Sequence, residues 1–245
     1  APIARIAELN RRLADRVSAT LAEGEFPLII GGDHSVAIGT WSGVARFVGK
    51  PLGLLWIDAH LDSHTPETSY SGAVHGMPLA CLLGRGDKRL LGLGIDGLQI
   101  DPKHTVVLGP RSWEAEEAAF LARMGVRVIG AVEIDERGLA ACFDEAAAIV
   151  SSAENGYGIT LDLDAFDPAA APGVGSPEPK GLAVGEVRAG LKKLTGSERL
   201  RALEIVEYNP DRDRHGITSK LIADVIGDLL GQIEGRRSAV APVRR

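Results

Sequence analysis

The sequence has 245 residues, a formal net charge of −6 at pH 7 and 45% hydrophobic residues. A chain of this length can bury the core of one α/β domain, and its acidic balance gives no general attraction for nucleic acid or for an anionic membrane surface. It also lacks an apolar run long enough to span a bilayer. We therefore expect a soluble, cytoplasmic protein whose partner is a small molecule, with no nucleic acid and no membrane among its partners.

The spacing of apolar residues predicts strands that alternate with helices along the chain. Helices are predicted at 3–21, 36–48, 79–83, 114–124, 138–150, 185–194 and 217–233, and strands at 26–30, 54–58, 105–108, 127–129, 158–163 and 200–206. The segments 63–74 and 168–181 have the composition of loops, and 84–104 carries no assignable pattern. This alternation predicts a mostly parallel, doubly wound sheet in a three-layer α/β/α fold, with one domain spanning 1–245.

The strand predicted at 54–58 leads into three side chains that commonly bind metals. Asp58, His60 and Asp62 are spaced two residues apart, and side chains with this spacing point to one side of an extended chain. The apolar run before them predicts a buried parallel strand, and functional groups of open α/β sheets gather at the carboxyl ends of such strands. We therefore expect these three side chains to leave the sheet together.

Two more predicted strand ends offer the same types of side chain. The strand at 158–163 leads into Asp162 and Asp164, and the strand at 26–30 breaks into Gly-Gly-Asp-His-Ser, whose glycines allow a sharp turn that brings His34 to the same edge. A single Asp-x-Asp pair is more often a turn or a cap than a ligand pair. Three such strand ends in one chain are improbable by chance, however, and so many carboxylates would repel without protons or cations.

The ligand types favour a hard divalent metal in octahedral coordination, Mn²⁺ above all, with other divalent metals possible. Six ligands are too few for two separate octahedra, so bridging carboxylates and a bridging water or hydroxide are expected. The sequence therefore predicts a two-metal hydrolase with ions ~3.5–4 Å apart, which would make hydroxide available near neutral pH. The predicted ligands are His34, Asp58, His60, Asp62, Asp162 and Asp164.

These motifs resemble, in order and spacing, the signatures of the ureohydrolase family, which includes arginases and agmatinases. They are Gly-Gly-Asp-His-Ser at 31–35, Asp-Ala-His-Leu-Asp at 58–62 and Leu-Asp-Leu-Asp-Ala-Phe-Asp-Pro at 161–168. The segment 65–78 is similar to arginases rather than agmatinases. The resemblance implies cleavage of the guanidino group of L-arginine to urea and L-ornithine by a metal-bridging hydroxide, in a homotrimer or homohexamer. It also implies a strand ahead of the first helix, which this sequence does not contain.

The resemblance also implies particular roles for the predicted ligands. One Mn²⁺ would be held by His34, Asp58, Asp62 and Asp162, and the other by Asp58, His60, Asp162 and Asp164. Asp58 and Asp162 would therefore bridge the two ions.

Catalysis is assigned by the same resemblance to Asp62, His75 and Glu207. His75 matches the proton shuttle that protonates the departing amine or relays protons to the metal-bound water, and an ordinary imidazole pKa near 6.5 suits that task. Glu207 matches the carboxylate that pairs with the substrate guanidinium, a planar cation that a carboxylate holds well. The structural alternatives are a loop imidazole that caps the next helix and an internal salt bridge to an arginine.

The amino-acid end of the substrate is expected to contact His64, Ser69, Ser71 and Glu114. Arginases usually have Asn at the positions of His64 and Ala73, and Asp at the position of Glu114. Loss of the amide at Ala73 should weaken carboxylate recognition by about one hydrogen bond, ~1–3 kcal/mol. His64 could compensate as a cationic donor, and Glu114 could still pair with an α-ammonium.

These departures leave other functions open. The substrate could be another guanidino compound, such as agmatine, 4-guanidinobutanoate or a related guanidino acid. A dinuclear phosphoesterase would need an Asn-His pair and a late Gly-His-x-His motif, and neither occurs. A catalytically inactive interaction subunit is disfavoured because every predicted metal-ligand position is filled.

Overall fold

Six parallel strands form one sheet in the computed structural model, which describes residues 2–239. The strands are β1 (Leu28–Ile30), β2 (Leu52–Ile57), β3 (Ile100–Leu108), β4 (Arg127–Ile129), β5 (Tyr157–Asp162) and β6 (Leu200–Val206). Their order across the sheet is β1-β6-β5-β2-β3-β4. The described α-helices are α1 (Pro2–Ala22), α2 (Ala37–Val48), α3 (Pro78–Leu82), α4 (Ala115–Met124), α5 (Ala131–Arg137), α6 (Leu139–Ser151), α7 (Val184–Thr195) and α8 (Ile217–Ala239).

Helices cover both faces of this sheet. Along β2, Leu54 and Trp56 belong to a buried cluster formed with α1 to α4, whereas Leu55 and Ile57 belong to one formed with α6 to α8. This division follows from the alternation of side chains along a strand, and burial on both faces explains the continuous apolar run of β2. The predicted single-domain, three-layer α/β/α fold is confirmed, with a sheet that is entirely parallel.

The sequence pattern did not predict the first half of β3 or any of α5. β3 begins at Ile100, inside the segment without an assignable pattern, because its first half is polar and only partly buried. α5 buries none of its residues fully, so it has no apolar period to detect. The predicted extent of the domain, 1–245, stays a prediction, and residues 1 and 240–245 lie outside the described part. Among the described residues, no helix has the length and apolar character needed to cross a membrane.

The two central strands, β2 and β5, lie side by side, and the chain leaves them in opposite directions. β2 continues through α3 to β3 on one side, whereas β5 continues through α7 to β6 on the other. In open α/β sheets, such a switch point opens a crevice at the carboxyl ends of the strands. Asp58 follows the last residue of β2, and Asp162 is the last residue of β5, so both lie at this crevice.

The start of α8 depends on Asp213. Its carboxylate accepts hydrogen bonds from the backbone N–H groups of Thr218 and Ser219 at 2.8 and 2.9 Å. Desolvation opposes ionisation of Asp213, but these hydrogen bonds outweigh it and lower its pKa to about 2. The charged carboxylate is therefore the form that stabilises the beginning of this helix.

We expect Asp213→Ala to lower the free energy of unfolding by about 1 kcal/mol at neutral pH, the usual cost of losing a helix cap. Because the folded pKa lies below the unfolded value of about 3.9, the stabilisation is complete above that value and is lost as the pH falls toward 2. Urea denaturation of both proteins against pH measures this difference. Asp211→Ala, at an exposed neighbouring carboxylate, serves as the control, and an equal loss there would contradict the assignment.

Candidate metal centre and active site

A cavity of about 320 Å³ opens at the carboxyl edge of the sheet. Its lining includes seven carboxylate and three imidazole side chains, and none of the described residues that line it is a lysine or an arginine. The cavity is therefore acidic, and it is suited to cations, either metal ions or a cationic substrate group.

The predicted ligands lie together behind and along this cavity. Nδ1 of His34 is 3.1 Å from a carboxylate oxygen of Asp58, and 3.0 Å from one each of Asp62 and Asp162. All four residues are buried. These four side chains form a first group whose ligand atoms all lie within 4.8 Å of one another, which is a distance a single ion can span.

A second group adjoins the first and consists of Asp58, His60 and Asp164. Nδ1 of His60 is 3.2 Å from Oδ2 of Asp164 and 3.5 Å from Oδ1 of Asp58. Asp58 thus belongs to both groups, through different oxygens. Asp162 belongs to the first group only in this geometry, so its bridging role stays a prediction.

Turns, rather than extended strands, position these side chains. β2 ends at Ile57 and β5 at Asp162, before the alternation of a strand could align the later residues. Oδ1 of Asp58 accepts the N–H of His60 at 2.7 Å, and Oδ1 of Asp162 accepts the N–H of Asp164 at 2.9 Å. Aspartate favours this local bond to the residue two positions later, so both strand ends fold in the same way.

The backbone of the first group is strained at Asp62, whose φ is 47°. Non-glycine residues rarely adopt this left-handed conformation, and it persists where the surrounding structure holds it in place. Here the carbonyl of Asp62 accepts the N–H of Leu79 at the start of α3. The following helix therefore helps to direct this carboxylate toward His34.

The surroundings of His34 include residues that the sequence did not single out. Nε2 of His34 lies 3.0 Å from the hydroxyl of Thr160, which donates to the buried carboxylate of Glu204 at 2.8 Å. Trp56 stacks on the imidazole with ring centroids 4.1 Å apart and donates from Nε1 to Asp58 at 2.8 Å. The only hint in the sequence was a polar residue inside each of two buried strands.

This chain of hydrogen bonds determines which nitrogen of His34 is free to bind a cation. Because the single hydroxyl proton of Thr160 goes to Glu204, Nε2 of His34 carries a proton and donates it to Thr160. In the neutral ring, Nδ1 then has a lone pair that faces three carboxylate oxygens. Nδ1 is buried and has no hydrogen-bond partner. A lone pair in this position fits a cation, and the donor set of one imidazole and carboxylates fits a hard divalent metal.

The pKa shifts of the histidines and aspartates in the two groups also indicate that positive charge is favoured here. Burial alone would lower the pKa of each histidine, but the close contacts with carboxylates raise it well above its usual value for His34 and to about 12 for His60. Burial and the charge of Asp58 raise the pKa of Asp62 to about 7, and burial with neighbouring carboxylates also raises the pKa of Asp162 and Asp164. The pKa of Asp58 shifts in the opposite direction: burial would raise it, but the contacts with both histidines lower it.

Glu207 and His75 lie beside the first group. Glu207 follows β6 with a φ of 65°, and its Oε1 accepts the backbone N–H of His34 at 2.8 Å. Nδ1 of His75 is 3.6 Å from the same oxygen, and this interaction raises the pKa of His75. Both side chains line the cavity, and the His75 side chain is 43% exposed. His75 is therefore accessible both to solvent and to the cavity.

The outer part of the cavity contains most of the residues expected at the substrate's amino-acid end. His64, Ser71 and Glu114 line it, whereas Ser69 does not: its hydroxyl accepts the N–H of Gly72 in a turn. Nε2 of His64 lies 3.0 Å from Oε2 of Glu114. This contact between two of the expected binding residues was not foreseen from the sequence.

Glu117 explains why His64 and Glu114 meet. This buried side chain accepts the N–H of Ser63 at 3.0 Å through one oxygen and the N–H of Glu114 at 3.1 Å through the other. It therefore joins the segment after β2 to the start of α4. The Glu-x-x-Glu spacing indicates a cap at the start of a helix, but no sequence pattern indicates the long-range hydrogen bond to Ser63.

Arg111 is a further residue whose importance the sequence did not indicate. Its guanidinium donates to the carbonyl oxygens of Asp164 at 2.7 Å and Glu178 at 2.8 Å, and its neighbouring contacts reach Ala165, Phe166 and Pro179. The loop after β5 is thereby fixed against the end of β3. Glu178, on that loop, approaches Nε2 of His60 at 3.7 Å.

A parallel α/β sheet with paired Asp/His groups at its carboxyl edge and an acidic cavity beside them is compatible with a dinuclear metal centre. Residues 1–231 match the model of the Arginase family. The arginase of Brevibacillus brevis is 42% identical over 229 residues, which cover 92% of this chain and 76% of that protein. The arginase of Bacillus caldovelox is 39% identical over 227 residues, covering 93% and 76%.

Solved structures show the same likeness. The crystal structure of arginase from Bacillus cereus superposes with a TM-score of 0.88 at 38% sequence identity, covering 92% of this chain and 78% of that one. The chain therefore belongs to the arginase family. The resemblance inferred from its motifs is confirmed.

Proposed function

We propose that this protein hydrolyses the guanidino group of L-arginine to urea and L-ornithine. The observation that carries the proposal is the pair of Asp/His groups that share Asp58 and adjoin Glu207 within one acidic cavity. A cationic guanidinium would be attracted to such a cavity, and water is the only other reactant that the reaction needs. Membership of the arginase family supports the same reaction.

The ions that fit these groups best are two Mn²⁺, held by His34, Asp58, Asp62 and Asp162 and by Asp58, His60, Asp162 and Asp164. Carboxylate oxygens with one imidazole per ion are the donors that Mn²⁺ accepts readily. When bound, such a pair of ions supplies a hydroxide nucleophile near neutral pH for attack on the guanidinium carbon. The Glu204–Thr160–His34 chain supports this arrangement by presenting Nδ1 of His34 to the ion.

Glu207 is the proposed guanidinium-binding carboxylate. Its Oε1 is held by the N–H of His34, while its side chain lines the cavity. The backbone bond fixes the orientation of the carboxylate, so that little ordering is needed when the substrate cation binds. Glu207 would thus position the guanidinium carbon beside the two Asp/His groups.

His75 is the proposed proton donor to the departing amine. It is partly exposed, lies near Glu207 and lines the same cavity, so it can exchange protons with solvent and deliver one to the leaving nitrogen of ornithine. Among the described residues, His75 is a member of neither Asp/His group. Its function would therefore be separable from metal binding.

We expect His75→Asn to lower kcat about 10²-fold, the lower part of the range for loss of a general acid, while the metal content of the protein stays at the native level. Steady-state urea release and elemental analysis measure the two quantities. His215→Asn, at an exposed loop position outside the cavity, is the matched control. Native kcat in His75→Asn would show that another group delivers the proton.

The experiment that tests the proposed function is urea release by the Mn²⁺-loaded protein from L-arginine, agmatine and 4-guanidinobutanoate, compared by kcat/KM. The proposal expects L-arginine to be hydrolysed and agmatine to be the poorer substrate. A preference for agmatine would reject recognition of the carboxylate end. Absence of urea from every guanidino compound in protein that binds Mn²⁺ would favour a non-catalytic role.

We further propose that the protein acts in the cytoplasm as a homotrimer or homohexamer. Two buried free cysteines agree with a reducing compartment. Analytical ultracentrifugation of the Mn²⁺-loaded protein separates these assemblies from a monomer.

A further inference from the structure

The outer part of the cavity has an unusual distribution of charge for a site that binds an amino acid. No described lysine or arginine lines the cavity, and among the imidazoles His60 contacts the metal-binding carboxylates and His75 contacts Glu207. His64 is the imidazole that remains for the outer part. Its contacts therefore decide how the two charged groups at the far end of a substrate are recognised.

Both nitrogens of His64 already have partners within the protein. Nε2 donates to Oε2 of Glu114 at 3.0 Å, and Nδ1 lies 3.1 Å from the hydroxyl of Thr68. His64 is buried, and its own N–H donates to the carbonyl of Gly76, so its position is fixed by backbone as well as side-chain bonds. The imidazole is thus a fixed part of the cavity wall.

The carboxylates near His64 are engaged as well. Glu117 is buried, both of its oxygens accept backbone N–H groups, and its Oε2 also lies 3.4 Å from Nε2 of His64. The Glu114 side chain is 49% exposed, so Glu114 is the carboxylate accessible to a cationic group at this end. Because Nε2 of His64 already holds Oε2 of Glu114, an α-ammonium would bind either Oε1 alone or Oε2 in competition with the hydrogen bond from His64. At Oε2, the free energy gained from the new ion pair would be offset by the loss of the existing bond, because one acceptor oxygen is exchanged between two donors.

We propose that His64 determines substrate selectivity by occupying Glu114, so that the protein recognises guanidino acids with little regard to the α-ammonium group. This inference rests on the proposed function and extends its substrate class to guanidino acids without an α-amine. The matched pair that isolates this group is L-arginine and 5-guanidinopentanoate, which has the same chain length and carboxylate.

The test is a double-mutant cycle read as the ratio of kcat/KM for L-arginine to that for 5-guanidinopentanoate. We expect a ratio below about tenfold in the native protein. His64→Asn releases Glu114 and should raise the ratio at least tenfold. Adding Glu114→Gln to His64→Asn should return the ratio to its native level, whereas Glu114→Gln alone should change it less than threefold.

A second measurement is independent of turnover. Calorimetric titration of the Mn²⁺-loaded protein with L-ornithine and with 5-aminopentanoate compares two products that differ only in the α-amine. The ratio of their dissociation constants should be less than tenfold in the native protein. In His64→Asn this ratio should be at least ten times larger. His104→Asn makes the same replacement at another histidine paired with a carboxylate, 2.8 Å from Asp101 and away from the cavity, and should leave both ratios unchanged.

The outcomes separate this inference from the proposed function. A native ratio above about 100-fold that collapses in Glu114→Gln would overturn the inference, because Glu114 would then recognise the α-ammonium with His64 in place. Ratios that do not respond to His64→Asn would overturn it too. Loss of urea release from all substrates, with product binding still measurable, would reject the proposed function while the calorimetric ratios continued to test His64.

Discussion

Replacement of Asp164 by asparagine is expected to lower kcat for urea release at least about 10³-fold, which corresponds to ~4 kcal/mol of barrier. Asp164 belongs to the smaller Asp/His group, where it is the one carboxylate besides the shared Asp58. Asparagine keeps the shape but loses the charge, so the second ion should be lost while the first, bound through His34, is retained. Elemental analysis after Mn²⁺ loading and gel filtration should give about one ion per chain instead of two.

The control for this variant is Asp167→Asn, three residues further along the same loop. Asp167 accepts the backbone N–H groups of Ala169 and Lys180 and belongs to neither Asp/His group. It should retain two ions and nearly native turnover. Full activity of Asp164→Asn with a single bound ion would contradict the two-metal mechanism itself.

Glu207→Gln should lower kcat/KM for L-arginine by about 10²–10³-fold, equivalent to ~3–4 kcal/mol, with both metal ions retained. Glutamine can still accept the backbone N–H of His34 through its amide oxygen, so His34 keeps this hydrogen-bond partner. What it cannot supply is the negative charge opposite the guanidinium. Kinetics together with metal analysis therefore separate substrate binding from metal binding.

Two further variants sharpen the assignment of Glu207. Glu178→Gln neutralises another carboxylate of the cavity, on the side of His60, and should cost at most about tenfold if Glu207 is the guanidinium partner. Gly175→Ala would place a methyl group 3.2 Å from Oε2 of Glu207 and should raise KM by displacing that oxygen. Equal losses in Glu178→Gln and Glu207→Gln would show that the cavity's overall charge, rather than one carboxylate, binds the substrate.

The three-layer fold could be predicted because each of its signals is local. Six short apolar runs separated by helical periods predicted every strand of the sheet, and the parallel arrangement followed from their alternation with helices. The elements that were missed, the first half of β3 and all of α5, are those that bury few side chains. Apolar periodicity reports burial, so an exposed element leaves no such trace.

The types of side chain at the proposed metal centre could also be predicted from the sequence, but strand alternation does not explain how these side chains converge. Strand alternation predicts that Asp58, His60 and Asp62 are aligned, but β2 ends before Asp58. These side chains are positioned instead by the hydrogen bond from the N–H of His60 to the carboxylate of Asp58 and by the left-handed backbone of Asp62. The same turn at Asp162 shows that aspartate at a strand end provides both a ligand and the turn that orients the next one.

The sequence by itself determined the order of strands and helices and the presence of carboxylates and imidazoles at three strand ends, because these properties depend on residue type and short spacing. Only the tertiary structure decided which of these groups share an oxygen, which nitrogen of His34 faces the carboxylates, and that His64 binds Glu114 rather than leaving it free. The His34–Thr160 and His64–Glu114 contacts join residues 126 and 50 positions apart. Contacts of that range arise from the packing of the whole sheet and its helices, and no local pattern encodes them.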